Sequence, residues 1–308
     1  MAQIYRKGSG AAARAALAGA SCAFGVFDGV HEGHRFIIGA AADAARSRGG
    51  VSAVITFDVD PDELFRPDEL RKLMANEARI EALAALPVDA VVVLPFTPEF
   101  AALVPEAFLD RFLGPAVPAE LHVGADFRFG ARGAGTVADL AAWGAPRGMR
   151  AVGHELLADD GAPVTATRIR GLLGAGRVAE AAELLGRPYA LAGTVEPGRG
   201  EGRAFGIRTA NLRVPDGLRA VGDGVYACWA VVGGQRYRAA VNVGVAATFA
   251  DASTATVEAH LLDFDQDVYG QPMTVEFVEW LRPMRVFADA DELVATITAN
   301  IQWVRDNL

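Results

Sequence analysis

A chain of 308 residues, 52% hydrophobic and 22% charged, is long enough for two globular domains and apolar enough to give each a core. A net charge of -9 excludes a general attraction for nucleic acid or anionic membrane, so an anionic substrate must be held by local devices: helix N-termini, a few arginines or a metal ion. Two cysteines far apart, Cys22 and Cys228, exclude a CxxC zinc site and suit core positions in a protein of the reducing cytoplasm.

The Ala-rich stretch after Arg6 and Lys7 is interrupted by Arg14 and runs into a polar motif at Asp28, so it reads as a short helix leading into a strand and not as a signal peptide. No run of about 18 apolar residues occurs, and no membrane span is expected. Strands are predicted over 21–27, 51–57, 89–96 and 120–127, alternating with helices over 33–46, 76–86, 99–113 and 136–143. Such alternation implies a Rossmann-like α/β domain with a parallel sheet covered on both faces. Short helices over 167–173 and 178–185 close this half. Short, Gly-punctuated strands follow over 191–196, 224–232, 237–243, 257–262 and 273–281, the pattern of a small antiparallel β-barrel. A terminal helix over 289–308 carries Leu293, Val294, Ile297, Ile301 and Val304 at helical spacing. The expected domains are 1–186 and 187–308.

Where the first strand meets the first long helix stands F-G-V-F-D-G-V-H-E-G-H, residues 24–34. Gly29 lets the chain turn sharply, and Gly33 permits close approach to the helix start. Free N–H groups there bind phosphate. His31 and His34 are expected to stabilise charge developing in phosphoryl or nucleotidyl transfer. The F-D-G-x-H-x-G-H pattern resembles the HxGH nucleotidyltransferases. V-T-A-T-R-I-R over 164–170 resembles the I-S-S-T-x-I-R element that grips the triphosphate in one branch of them, and V-G-A-D-F-R-F-G over 123–130 resembles its nucleotide and flavin pocket. In this order the three motifs resemble the bacterial bifunctional riboflavin kinase/FAD synthetase family. The resemblance implies a nucleotide cradle of Phe27, Asp28, Gly29, Gly33, Asp126, Phe127, Thr165, Thr167 and Arg170.

In the second half, G-R-G-E-G-R over 198–203 and G-I-R-T-A-N over 206–211 resemble the family's Gly-rich loop and its G-F-P-T-A-N motif. This implies ATP contacts from Gly202, Arg203 and Gly206, with Thr209 and Asn211 as oxygen ligands for Mg²⁺. On an alternating strand Glu258, His260 and Leu262 share a face. Within the E-x-H-L-L-D-F match, Glu258 corresponds to the general base toward the ribityl hydroxyl. The implied substrates are ATP, riboflavin and FMN. Nucleic acid and membrane are not expected partners, and the oligomeric state is left open.

Four positions depart from the family's pattern: Asp60 in place of a His, Ala166 in place of a Ser, Arg208 in place of a Pro, and Ala247 in place of a Pro. Asp60 facing a triphosphate would repel it. The competing readings are a paralogue with one activity lost or another flavin-like or nucleotide substrate, and a flavin-binding protein without turnover. Retention of Glu258 speaks against the last, since binding alone needs no base.

Overall fold

The computed structural model describes residues 1–6, 10–67, 69–198, 208–245 and 255–308. They form two compact units, Met1–Ala166 and Thr167–Leu308. The expected boundary at 186/187 lies twenty residues later. The helices between the two points group with the second unit, because the one over Val178–Leu185 packs on that unit's strands.

The first unit runs β1 (Gln3–Tyr5), α1 (Gly10–Leu17), β2 (Ser21–Phe24), α2 (Glu32–Ser47), β3 (Ser52–Phe57), α3 (Pro61–Phe65), α4 (Asn76–Ala84), β4 (Ala90–Leu94), α5 (Pro98–Ala101), α6 (Pro105–Phe112), β5 (Glu120–Gly124), α7 (Val137–Gly144) and β6 (Arg150–His154). A two-residue pair, β7 (Ala158–Asp159) and β8 (Ala162–Pro163), follows. The sheet is parallel with strand order β1-β4-β3-β2-β5-β6. Neighbouring strand residues feed opposite cores: Cys22, Phe24, Ala53 and Ile55 join one cluster, Ala23 and Val54 the other. This two-sided burial explains the continuous apolar runs. From β2 the chain builds toward β3 in one direction and later toward β5 in the other, so the loops after β2 and β5 flank a topological switch point, where open α/β sheets bind ligands.

The second unit begins at the second residue of α8 (Ala166–Gly174) and continues with α9 (Val178–Leu185), the latter ended by Gly186 in the left-handed region at φ 67°. Then come β9 (Tyr189–Glu196), β10 (Ala210–Arg213), β11 (Gly224–Val232), β12 (Gln235–Val245), β13 (Ala255–Leu261), β14 (Pro272–Arg282) and α10 (Ala290–Asn307). The six strands close in the order β10-β13-β12-β11-β14-β9, all neighbours antiparallel. Alternation sorts the faces: Leu212, Val241, Val243, Val257 and Ala259 are buried, while Asn211, Asn242 and Glu258 are half-buried on the other face. Asp289 caps α10 by accepting from the Glu292 N–H at 2.8 Å. No helix among the described residues is long and apolar enough to cross a membrane.

The architecture is the expected one, a parallel α/β unit and a small antiparallel barrel with a terminal helix. Among the described residues five strands are additional to those expected: β1, β6, β7, β8 and β10. Each is short, and none has an apolar alternation long enough to stand out from a loop.

Candidate active sites

The first site grows from the loop after β2. Phe27, Gly29 and Val30 have φ of 61°, 78° and 43°. For a β-branched valine this is strained backbone, costing about 1–3 kcal/mol, and it must be held by its surroundings. Two buried side chains hold it. The Asp28 carboxylate accepts from the Leu73 N–H at 3.0 Å and the Met74 N–H at 3.2 Å. The Arg79 guanidinium, on α4, donates to the Val26 carbonyl at 2.5 Å, to Thr56 Oγ1 at 2.7 Å and to the Phe57 carbonyl at 2.9 Å. Asp28 therefore binds the chain itself, and Phe27 is buried beneath the loop.

His31 is the N-cap of α2, its Nδ1 accepting from the His34 N–H at 3.4 Å. An accepting Nδ1 leaves the ring proton on Nε2. The His31 and His34 rings stack at 3.5 Å between centroids, and Phe27 meets His34 edge-on at 5.2 Å. His34 Nδ1 is buried without a hydrogen-bond partner among the described residues. Burial, with His31 and Arg79 close by, pushes the His34 pKa well below 6.5. A Cβ on Gly33 would sit 3.2 Å from the His31 ring and 3.3 Å from the Val164 carbonyl. The close approach at Gly33 is thus made by the protein's own chain, and it sets Val164 and the adjoining Thr165 beside the helix start. Asp126 is exposed after β5, and the Phe127 ring lies 5.2 Å from that of Phe24. Thr167 and Arg170 lie on α8, in the second unit.

Asp60 is buried and faces a helix. As N-cap of α3 it accepts from the Asp62 N–H at 2.9 Å, while its own N–H donates to Glu63 Oε1 at 2.9 Å. Burial, with Asp28 and Asp62 nearby, raises its pKa. Asp-Pro followed by Glu63 is a capping signature visible in the sequence. Arg79 was also overlooked. Its signal was a cation on the apolar stripe of α4, beside Ile80 and one turn before Leu83.

A second histidine pair lies on β5 and β6. His122 Nδ1 is 2.9 Å from His154 Nε2, and its Nε2 is 3.2 Å from the Glu120 carboxylate, which also accepts from Arg150 at 2.9 Å. Burial lowers the pKa of both histidines.

In the barrel, cross-strand pairing sets Glu258 directly opposite Asn211 on one side and Asn242 on the other. Directly opposed side chains stand about 5 Å apart at Cβ. Asn242 Oδ1 is buried without a hydrogen-bond partner among the described residues. Three oxygen-bearing side chains in one row, one with an unsatisfied oxygen, fit a hard cation such as Mg²⁺. Thr209 borders a cavity of about 610 Å³ together with Arg208, Ala210, Ala259, Leu261 and Phe264. His260 Nδ1 lies 2.8 Å from the Arg208 carbonyl. Gly202, Arg203, Gly206 and Ala247 lie outside the described residues.

The two units match two families. The FAD synthetase family model matches residues 13–168, and the riboflavin kinase family model matches residues 185–308. A bifunctional riboflavin kinase/FMN adenylyltransferase of Listeria monocytogenes is 33% identical over 92% of this chain and 90% of its own length. The Pseudomonas fluorescens protein of the same name is 33% identical over 93% of this chain and 92% of its own. A crystal structure described as a macrolide-efflux protein from Streptococcus pneumoniae superposes with a TM-score of 0.83 at 30% identity, covering 94% of each chain. Two family matches in tandem, with relatives aligned along almost their whole length, make the chain a member of the bifunctional riboflavin kinase/FMN adenylyltransferase family.

Proposed function

We propose that the barrel unit carries the riboflavin kinase and the parallel-sheet unit the FMN adenylyltransferase, with the residues below in the stated roles. The chain phosphorylates riboflavin to FMN and adenylylates FMN to FAD, using ATP for both and releasing pyrophosphate in the second. The observation that carries the assignment is the cross-strand row in the barrel: a carboxylate set between two asparagines, with Thr209 beside a cavity.

In the kinase, Glu258 takes the proton of the ribityl hydroxyl as that oxygen attacks the γ-phosphorus of ATP. Thr209 and Asn211 would hold Mg²⁺ through their side-chain oxygens. When bound, the ion neutralises charge on the ATP phosphates. Gly202, Arg203 and Gly206 are assigned to ATP by the family motif.

In the adenylyltransferase the FMN phosphate attacks the α-phosphorus directly, so the protein supplies alignment and charge stabilisation. His31, with its proton on Nε2, donates a hydrogen bond from the start of α2, where the N–H groups of the first turn also favour anions. With its depressed pKa, His34 is neutral at pH 7 and acts as a neutral donor. The family motifs assign Thr165, Thr167 and Arg170 to the triphosphate, and Asp126 and Phe127 to the nucleotide and flavin. Two buried free thiols and dependence on ATP support a cytoplasmic location.

Chromatography of products separates the roles. Wild-type protein with ATP and Mg²⁺ should convert riboflavin to FMN and FMN to FAD. Glu258→Gln should lower FMN formation by about 10²-fold or more and leave FAD formation from FMN unchanged. His31→Ala should do the reverse. FMN formation at the wild-type rate in Glu258→Gln would remove Glu258 from the mechanism.

A further inference from the structure

The β10–β13 ladder begins at the pair Ala210↔Ala259, so Arg208 and Thr209 precede the paired strand. Their backbone is nevertheless tied to β13. His260 Nδ1 lies 2.8 Å from the Arg208 carbonyl oxygen, and because a carbonyl only accepts, Nδ1 carries the proton and donates it. The side chain adds one rung to the ladder beyond its last main-chain pair. Arg208 has a second tether, its guanidinium donating to the Asp265 carbonyl at 3.3 Å. Both tethers act on the residue before Thr209, and Thr209 and Arg208 both border the cavity.

Position 208 is also where this chain departs from the G-F-P-T-A-N pattern it resembles. A proline fixes its own φ near -65° and narrows the choices of its predecessor, so a Pro-Thr segment is held in place covalently. Arginine leaves that freedom in the unbound chain, and order at Thr209 has to come from contacts. We propose that His260 is a positioning residue of the kinase: by holding the Arg208 carbonyl it fixes the backbone that presents Thr209, where a proline at 208 would restrict that backbone through its ring. The inference rests on the reading of Thr209 as a metal-holding residue. Glu258 and His260 then divide one strand face, the first acting on the substrate and the second on the protein.

Three substitutions in the full-length protein distinguish shape from hydrogen bonding. Asn carries an amide N–H where Nδ1–H lies, Gln carries one near Nε2, and Ala carries none. His260→Ala and His260→Gln should speed amide hydrogen exchange over residues 209–211 about five- to tenfold without any ligand, the effect of one lost hydrogen bond of ordinary strength. They should raise the Mg²⁺ concentration for half-maximal FMN formation by a similar factor, with FAD formation from FMN unchanged. His260→Asn should restore both. In an Arg208→Pro background, His260→Ala should have a clearly smaller effect on exchange and on the Mg²⁺ requirement. Thr209→Ala tests the underlying reading: if it leaves the Mg²⁺ requirement unchanged, the metal role fails while the exchange data still judge the tether. Wild-type exchange in both His260→Ala and His260→Gln would overturn the positioning role. So would an equal penalty in the wild-type and Arg208→Pro backgrounds, or a fall in kinase rate with an unchanged Mg²⁺ requirement.

Discussion

The two units place their candidate site residues with opposite economies of structure. In the parallel-sheet unit the site is made of strained backbone, and buried polar groups keep it in shape: Phe27, Gly29 and Val30 at positive φ, braced by Arg79 and Asp28. In the barrel the core is apolar, and Asn211, Glu258 and Asn242 stand on the face away from it, positioned by strand register alone. Stability and chemistry are therefore entangled in the first unit and largely separable in the second. A regular ladder places side chains at little energetic cost, whereas a tight turn at a switch point needs partners that the turn itself cannot supply.

Removing Arg79 should break the comparison most visibly. Arg79→Met removes the guanidinium donor from the Phe57 carbonyl, leaves the Val26 carbonyl with the Thr56 hydroxyl in place of two donors, and strips a positive charge from the neighbourhood of Asp60 and Asp28. Losing one side of a buried charged network costs about 3–5 kcal/mol. Chemical denaturation should show the loss in the parallel-sheet transition, with FAD formation falling and FMN formation retained. Equal loss from both transitions would show that the units are not energetically separate.

Acid should act on the same unit. His34, His122 and His154 have pKa values held below the ordinary 6.5, so the folded state prefers them neutral. Their contribution is complete above pH 6.5 and is lost as pH falls toward the folded values. The bound is about 1.4 kcal/mol per pH unit for a fully buried histidine, and less for the more exposed His154. Thermal melts from pH 7.5 to pH 5.5 should lower the parallel-sheet midpoint, and His122→Val with His154→Val should flatten the decline. A pH-independent midpoint would contradict the burial argument.

The smallest effect sharpens the picture at α3. Asp60→Ala removes a helix cap and should cost about 1 kcal/mol, read as a lowered denaturation midpoint. Asp60→Asn keeps an acceptor for the Asp62 N–H without a buried charge and should cost less. If Asp60 faced bound triphosphate instead, both substitutions would lower the KM for ATP without touching stability.

Much of this was legible in the sequence. The strand–helix alternation, the Gly-punctuated second half and the ligand-facing motifs are each local patterns, and local patterns survive reading one residue at a time. What was hidden is non-local. Arg79 lies 53 residues from Val26, and Asp28 lies 45 from Leu73. Nothing in a linear motif marks Asp28 as a brace for its own chain or Gly33 as the neighbour of Val164. The strands β1, β6, β7, β8 and β10 escaped because two to five residues carry too little periodicity. At Asp60 the Asp-Pro-x-Glu capping signature is itself local, and it marks in the sequence the helix that begins there.

The closed ring has a consequence for life at high concentration. A sheet that joins its first strand to its last leaves no open edge strand, so among the described residues the barrel offers no edge strand as a template for unwanted pairing. The parallel sheet ends at two open borders. One, Gln3–Tyr5, is only three residues long, and the other, Arg150–His154, carries a charge at one end and a glycine near the other. Both are poor templates for association, by brevity and by charge. Aggregation during refolding should therefore start from the parallel-sheet unit, and a protein arrested with only its barrel formed, its apolar parallel strands still unpaired, should aggregate through them.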